Sequence, residues 1–276
     1  MMKTTVLITG VNGDIGRSAV QQALAQGKHV YATVRNEAHT ATFDAHERLK
    51  FLIMHVDDQA SVKNMYAELD QLLAGDALNA IIHCAAIENP STVEFLDPEK
   101  FERILKVNTL GSLAIMQGAF PRLRASGGNL VLASSLWGFV SGPMVCAYAA
   151  SKWALEALVH AARRETRGMG FRISTANIGA VKSRMLNAHI DQLYQLLEDA
   201  GEEERKFYGN AYKAHAESTK QFNKIAITAE KVALKLLQIA DSKKPASSYA
   251  IGVDAKLFRV LNWMLPTAVV DKMMGV

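Results

Sequence analysis

Tyr148 and Lys152 stand four residues apart in the run Tyr-Ala-Ala-Ser-Lys. A helix carries that spacing onto one face, bringing a phenol and an ammonium within reach of each other. A nearby cation favours the phenolate, whose ordinary pKa is about 10, so this tyrosine is expected to exchange a proton near neutrality. Ser135 precedes Tyr148 by thirteen residues and follows a short apolar run. Carboxyl ends of strands are where ligands sit in open α/β sheets, so its hydroxyl is well placed to hold a ligand oxygen. The chemistry these residues suggest is proton transfer to or from an oxygen held by a second donor.

A second group of residues suits a phosphate. Gly10-Val11-Asn12-Gly13-Asp14-Ile15-Gly16 lies between a β-branched run and an amphipathic one. Glycines let the backbone approach a pyrophosphate, and the helix N-terminus that follows offers free N–H groups and partial positive charge. An ordinary tight turn would look similar. The next strand-like run ends in Val34-Arg35-Asn36. An NAD site wants a carboxylate there for the ribose hydroxyls. None is present, and Arg35 is suited to a 2′-phosphate unless it is simply a solvated cation. The expected cofactor is NADP rather than NAD.

Positioning these groups takes strands and helices in alternation. Strand-like runs fall at 3–9, 29–34, 51–56, 80–84, 130–133, 172–176 and 249–253, and helical patterns at 61–74, 98–123 and 148–167. This order predicts right-handed crossovers and a doubly wound α/β fold, a seven-stranded parallel sheet with helices on both faces. No repeat, low-complexity tract or flexible linker interrupts the 276 residues, so a single domain over 1–276 is expected. Two stretches, about 185–222 and 257–274, stand outside the alternation. Leu186, Ile190, Leu193, Leu196 and Leu197 recur at helical spacing, as do Leu257, Val260, Leu261, Met264 and Leu265 before Pro266. They are expected to form a mobile helical lid over a substrate pocket. The second could instead lie on a membrane surface with Phe258 and Trp263 exposed, weakly anchored because Lys256 and Arg259 are its chief cations.

Composition removes other classes. With 49% hydrophobic and 21% charged residues, the chain is neither disordered nor a collagen-like repeat. Its net charge of +4 comes from scattered basic residues, with no arginine-rich arm or stripe, so no nucleic-acid partner is expected. Cys84 and Cys146 are too few for a disulfide scaffold and are expected to be small hydrophobes, which makes a reduced cytoplasmic setting the default. The eight histidines show no ligand spacing, so no metal is expected. No signal peptide is evident at the start, and no run reaches the roughly 18 apolar residues that span a bilayer.

Taken in order, these motifs resemble the short-chain dehydrogenase/reductase family. Thr9-Gly10, Asp57 after the third strand, Asn108 in Lys-Val-Asn-Thr-Leu-Gly, Ser134-Ser135, the Tyr148–Lys152 run and Asn177–Ser183 all fall at that family's intervals. The resemblance implies a Rossmann sheet and a catalytic set of Asn108, Ser135, Tyr148 and Lys152. Tyr148 would be the general acid for reduction or base for oxidation. Ser135 would polarise the substrate oxygen, Lys152 would bind the nicotinamide ribose and bias Tyr148, and Asn108 would position a relay water. Hydride transfer to a carbonyl builds alkoxide charge where two hydroxyl donors stabilise it, and the cofactor supplies the hydride. By the same resemblance the cofactor would touch Thr9, Gly10, Asn12, Gly13, Asp14, Ile15, Gly16, Arg35, Asn36, Asp57, Asp58, His83, Ala85, Ala86, Asn108, Tyr148, Lys152, Gly179, Val181 and Ser183. Asp57 is expected to contact adenine, although Asp57 and Asp58 could merely cap a helix.

The sequence also departs from the family pattern. Asp14 stands at the middle glycine of TGxxxGxG, a spacing closer to the TGxxGxxG loop of the extended branch, whose members include epimerases and dehydratases. His83-Cys84-Ala85-Ala86 replaces the usual NNAG, and Ile178 replaces the proline before Gly179. The expected function is an NADP-dependent oxidoreductase interconverting an alcohol and a ketone on a hydrophobic small molecule, with Trp137, Phe139, Met144 and Met185 lining the pocket. The lid and C-terminal run also resemble retinol- and hydroxysteroid-dehydrogenase-like members. A cofactor-retaining epimerase or dehydratase, and a non-catalytic dinucleotide sensor, are the alternatives. Small and apolar residues on more than one face of 98–123 and 148–167 predict a homodimer or homotetramer.

Overall fold

A computed structural model describes residues 4–275. Seven parallel strands form the sheet: β1 (Thr5–Thr9), β2 (His29–Val34), β3 (Leu49–Ile53), β4 (Ala80–His83), β5 (Asn129–Ser135), β6 (Arg172–Ile178) and β9 (Ser248–Ile251). Their spatial order is β3-β2-β1-β4-β5-β6-β9. The order reverses between β1 and β4, and such a switch point opens a crevice at the carboxyl ends of the strands. Alternation along each strand sends side chains to two cores. Val6, Ile8 and Val131 pack under α1 (Asp14–Ala25) and α8 (Ala229–Ala240). Leu7, Leu130 and Leu132 pack under α2 (Gln59–Leu73), α4 (Gly111–Ser126) and α5 (Cys146–Glu165). A strand buried on both faces reads as an unbroken apolar run, which is why β1 and β5 were plain in the sequence.

Some boundaries differ from the sequence expectation. The third strand lies at Leu49–Ile53 rather than 51–56, because its pairing with β2 begins at Val30 opposite Leu49 and has run out when Met54 N bonds to Val34 O. Val253 opens a helix instead of ending the last strand. The helix expected over 98–123 is α3 (Pro98–Leu105) and α4 joined by a π turn, Lys106–Leu110. A two-residue parallel pair, β7 (Val181–Lys182) with β8 (Ile227–Thr228), was too short to carry a sequence signal. Both extra regions are helical: α6 (Arg184–Asp199) with α7 (Glu202–Ile225), and α9 (Val253–Met264) with α10 (Thr267–Met274).

Candidate active site

The glycine loop closes the crevice from below. Gly10 has φ +71, and a Cβ there would lie 2.5 Å from the Ala85 nitrogen. A Cβ on Gly16 would lie 2.5 Å from the Gly10 carbonyl oxygen. Both positions exclude side chains on steric grounds, whereas a Cβ on Gly13 would meet only the Gly10 oxygen, at 3.4 Å. Asp14 opens α1, where a carboxylate suits the positive helix end. It accepts from Arg184 N at 2.6 Å and Nε at 2.8 Å, and Arg184 Nη2 also bonds the Asn12 carbonyl. The first residue of the lid thus brings a guanidinium to the loop.

Above the loop, α5 carries the acid–base pair. The face holding Tyr148, Ser151 and Lys152 continues inward as Leu155, Val159 and Ala162, so core packing sets its rotation. The preceding turn passes through Met144 at φ +63, in the left-handed region a non-glycine residue seldom adopts. Lys152 Nζ donates to Ala133 O at 3.0 Å and lies 5.5 Å from the Tyr148 ring centre. Burial, the main cause, pushes the ammonium down to about 8. Tyr148 departs from expectation: burial first, then the Glu88 charge, raises its pKa above the ordinary value, while a hydrogen bond with Ser135 opposes this. Desolvation of the phenolate is the largest effect, and the lowering expected from the spacing does not appear. Ser135 Oγ accepts from Trp137 N at 3.2 Å and faces Ile178 O at 3.4 Å.

Asn108 lies in the π turn, and its amide is fully engaged. Oδ1 accepts from Ile87 N at 2.9 Å, and Nδ2 donates to Ile87 O at 2.8 Å and Ser151 Oγ at 2.9 Å. It ties the loop after β4 to α5. A cavity of about 360 Å³ opens over Ser135, Tyr148 and Lys152, closed by Met185 and Leu186 of α6, Phe222 of α7, Phe258 of α9 and Met274 of α10.

Residues 4–193 match the short chain dehydrogenase family. The chain belongs to that family. It is 24% identical to 3-amino-tetrahydro-pyrrolizinone reductase from Xenorhabdus hominickii, an alignment covering 99% of this chain and 95% of that one. Identity to human 17-beta-hydroxysteroid dehydrogenase type 6 is 26%, covering 96% and 86%. A solved short chain dehydrogenase from Burkholderia cenocepacia J2315, in complex with NADP, superposes with a TM-score of 0.77 at 17% identity, covering 100% and 99%. The protein is an NAD(P)-dependent short-chain oxidoreductase acting on alcohols or carbonyls.

The cradle fits a dinucleotide, since Gly10 and Gly16 clear the space a pyrophosphate needs before the α1 N-terminus. Ile15 and Ala86 line the adjoining cavity, as do Gly179, Val181 and Ser183. Arg35, Asn36 and Asp57 stand exposed at the ends of β2 and β3. Other residues expected at the cofactor also make hydrogen bonds within the protein. Thr9 and His83 face each other in register at the strand ends, Oγ1 to Nδ1 at 2.6 Å, and His83 Nε2 meets Ser112 Oγ at 3.0 Å. Fully buried, His83 is pushed down to about 3 and acts as a neutral cross-link between Thr9 and Ser112. The Asp58 carboxylate caps α2 through Ala60 N, and the Ser183 hydroxyl caps α6 through Leu186 N. The carboxylate of Asp14 and the carbonyl of Asn12 belong to Arg184.

The pocket residues also divide. Trp137 and Met185 line the cavity. Phe139 instead packs with Leu136, Val140 and Ala255 beneath Arg259, and Met144 packs with Leu193 and Tyr212 of the lid. Met144 holds the lid in place from outside the pocket. Of the apolar stripe expected to face inward from α9, Leu257, Val260 and Met264 are exposed, and Leu261 and Leu265 are half-buried. Of the two residues the membrane alternative would expose, Trp263 is exposed and Phe258 lines the cavity. Sequence reasoning missed Glu88, Arg184, His189 and His215. Arg184 directly follows the Asn177–Ser183 segment and Glu88 lies two residues after His83–Ala86, but His189 and His215 sit on separate lid helices and share no linear pattern. Cys84 borders the cavity with its thiol pushed up to about 12 by burial, so it is inert there.

Proposed function

We propose that this enzyme uses NADPH to reduce a carbonyl on a hydrophobic small molecule. The observation that carries the reading is that Ser135, Tyr148 and Lys152 line one cavity, with the phenol kept protonated by burial. The Xenorhabdus relative, named as a reductase, supports the direction. Ser135 Oγ holds the substrate oxygen beside that phenol, so two hydroxyls meet the charge that develops there. Lys152 keeps an ammonium at the site, and Asn108 acts as a positioning residue that fixes the loop behind it. A bound nicotinamide dinucleotide supplies the hydride. Gly10, Gly16 and the α1 N-terminus would hold its pyrophosphate, and Arg35 its 2′-phosphate; the NADP in the Burkholderia structure supports that choice. The substrate class is supported by the cavity wall, where Trp137, Met185, Leu186, Phe222 and Phe258 are apolar.

In this reading the chain works as one domain, with 185–222 and 257–274 as its substrate cover, in a cytoplasmic setting. Among the described residues no helix is long and apolar enough to cross a membrane. The test is Tyr148→Phe, assayed by NADPH absorbance on a panel of apolar ketones. Loss of the acid should lower kcat by about 100- to 10,000-fold with NADPH binding retained. Activity within tenfold of the native enzyme would sink the assignment.

A further inference from the structure

The cavity has a charged end that the acid–base set does not use. Glu88 lies in the loop after β4, its side chain 14% exposed, with Oε1 2.7 Å from His189 Nδ1. His189, from α6, is 4% exposed, and its ring meets His215 of α7 edge-on with centres 5.5 Å apart. The approach of Glu88 is at ion-pair distance but off hydrogen-bond geometry, so His189 Nδ1 has no aligned partner. All three side chains line the same cavity as Ser135 and Tyr148. His215 is pushed down to about 4, by burial first and then by His189, and stays neutral. Lys152 turns its ammonium onto the Ala133 carbonyl.

A half-buried carboxylate is costly unless a partner repays its desolvation, and a cation repays it best. An anionic substrate would be repelled here, and a neutral hydroxyl would form the weaker bond. Glu88 lines the same cavity as Ser135 and Tyr148, so one ligand can reach both the carboxylate and the two hydroxyls.

We propose that Glu88, flanked by His189 and His215, binds an ammonium group of the substrate near the carbonyl held by Ser135 and Tyr148. The substrates are then apolar amino ketones, and the products amino alcohols. This rests on the reductase reading above for the carbonyl, while the ammonium site rests on the cavity itself.

The test measures binding as well as turnover. A dodecyl-chain vicinal amino alcohol and the same alcohol without its amine are titrated by calorimetry into the full-length protein, native and Glu88→Gln. The corresponding two ketones are assayed with NADPH. Native protein should prefer the amine by about 10- to 100-fold, as one charge-assisted hydrogen bond implies. Glu88→Gln should remove that preference, and Glu88→Asp should keep part of it. Melting and dinucleotide binding check that each variant folds; if Glu88→Gln does not, the preference of the native protein and of Glu88→Asp decides. No native preference, or one that survives Glu88→Gln, overturns the proposal. A preference without NADPH oxidation of either ketone leaves the ammonium site standing and removes the reductase reading instead.

Discussion

Lys152→Met should make the protein more stable and less active. The lysine is 2% exposed, and burial depresses its pKa from 10.5 to about 8. A depression of that size corresponds to about 3 kcal/mol of destabilisation while the group is charged. Methionine fills nearly the same space without a charge. It gives up the 3.0 Å bond to Ala133 O, a loss of about 1 kcal/mol. The variant should therefore gain about 2 kcal/mol at pH 7, a rise in Tm on the order of 5 °C. The sign reverses with pH. Between pH 8 and 10.5 the native state has released this proton while the unfolded chain still holds it. The unfolded state then binds more protons, so wild-type stability climbs by up to about 1.4 kcal/mol per pH unit relative to the variant. Urea melts of both proteins across pH 7 to about 10.5 measure the difference, with other titrating groups cancelling. NADPH turnover by the variant should fall at least about 100-fold. A variant less stable than wild type at pH 7, or a gap that stays constant as pH rises, would refute the reasoning.

Arg35→Asp should shift kcat/KM from NADPH towards NADH by about tenfold or more, since it replaces a phosphate partner with a repelling carboxylate; an unchanged ratio removes Arg35 from phosphate recognition. Deleting 257–276 removes Phe258 and Met274 from the cavity wall, and should raise KM for bulky apolar ketones several-fold while that for NADPH holds. If substrate KM holds and liposome binding disappears instead, the exposed Leu257, Val260 and Trp263 serve a membrane surface. Light scattering should find a dimer or tetramer, because α5 leaves Ala150, Trp153, Ala157 and Ala161 exposed along one helix; a species of only 30.2 kDa at working concentration counts against it.

The sheet was legible because its strands are buried on both faces, so β1, β2 and β5 appear as short runs dominated by apolar and β-branched residues between helical patterns. Strand ends were less legible: the edge strand β3 is set by its register on β2, not by its own apolar residues. Ser135, Tyr148, Lys152 and the glycine loop could be placed together because each sits at a fixed offset from a strand or along one helix. What those residues do to one another was not in the sequence. Spacing alone argued that Lys152 would lower the pKa of Tyr148, yet burial by the surrounding fold, with the Glu88 charge, raises it. The family resemblance offered Thr9, His83, Asp58 and Ser183 as cofactor contacts; only the folded chain shows that Thr9 and His83 bond to each other and that Asp58 and Ser183 cap helices. Glu88, His189 and His215 lie up to 127 residues apart and meet only because two lid helices fold over the strand ends. A hydrophobic period tells which face of a helix is buried, but which polar groups share the space above that face depends on how distant elements pack.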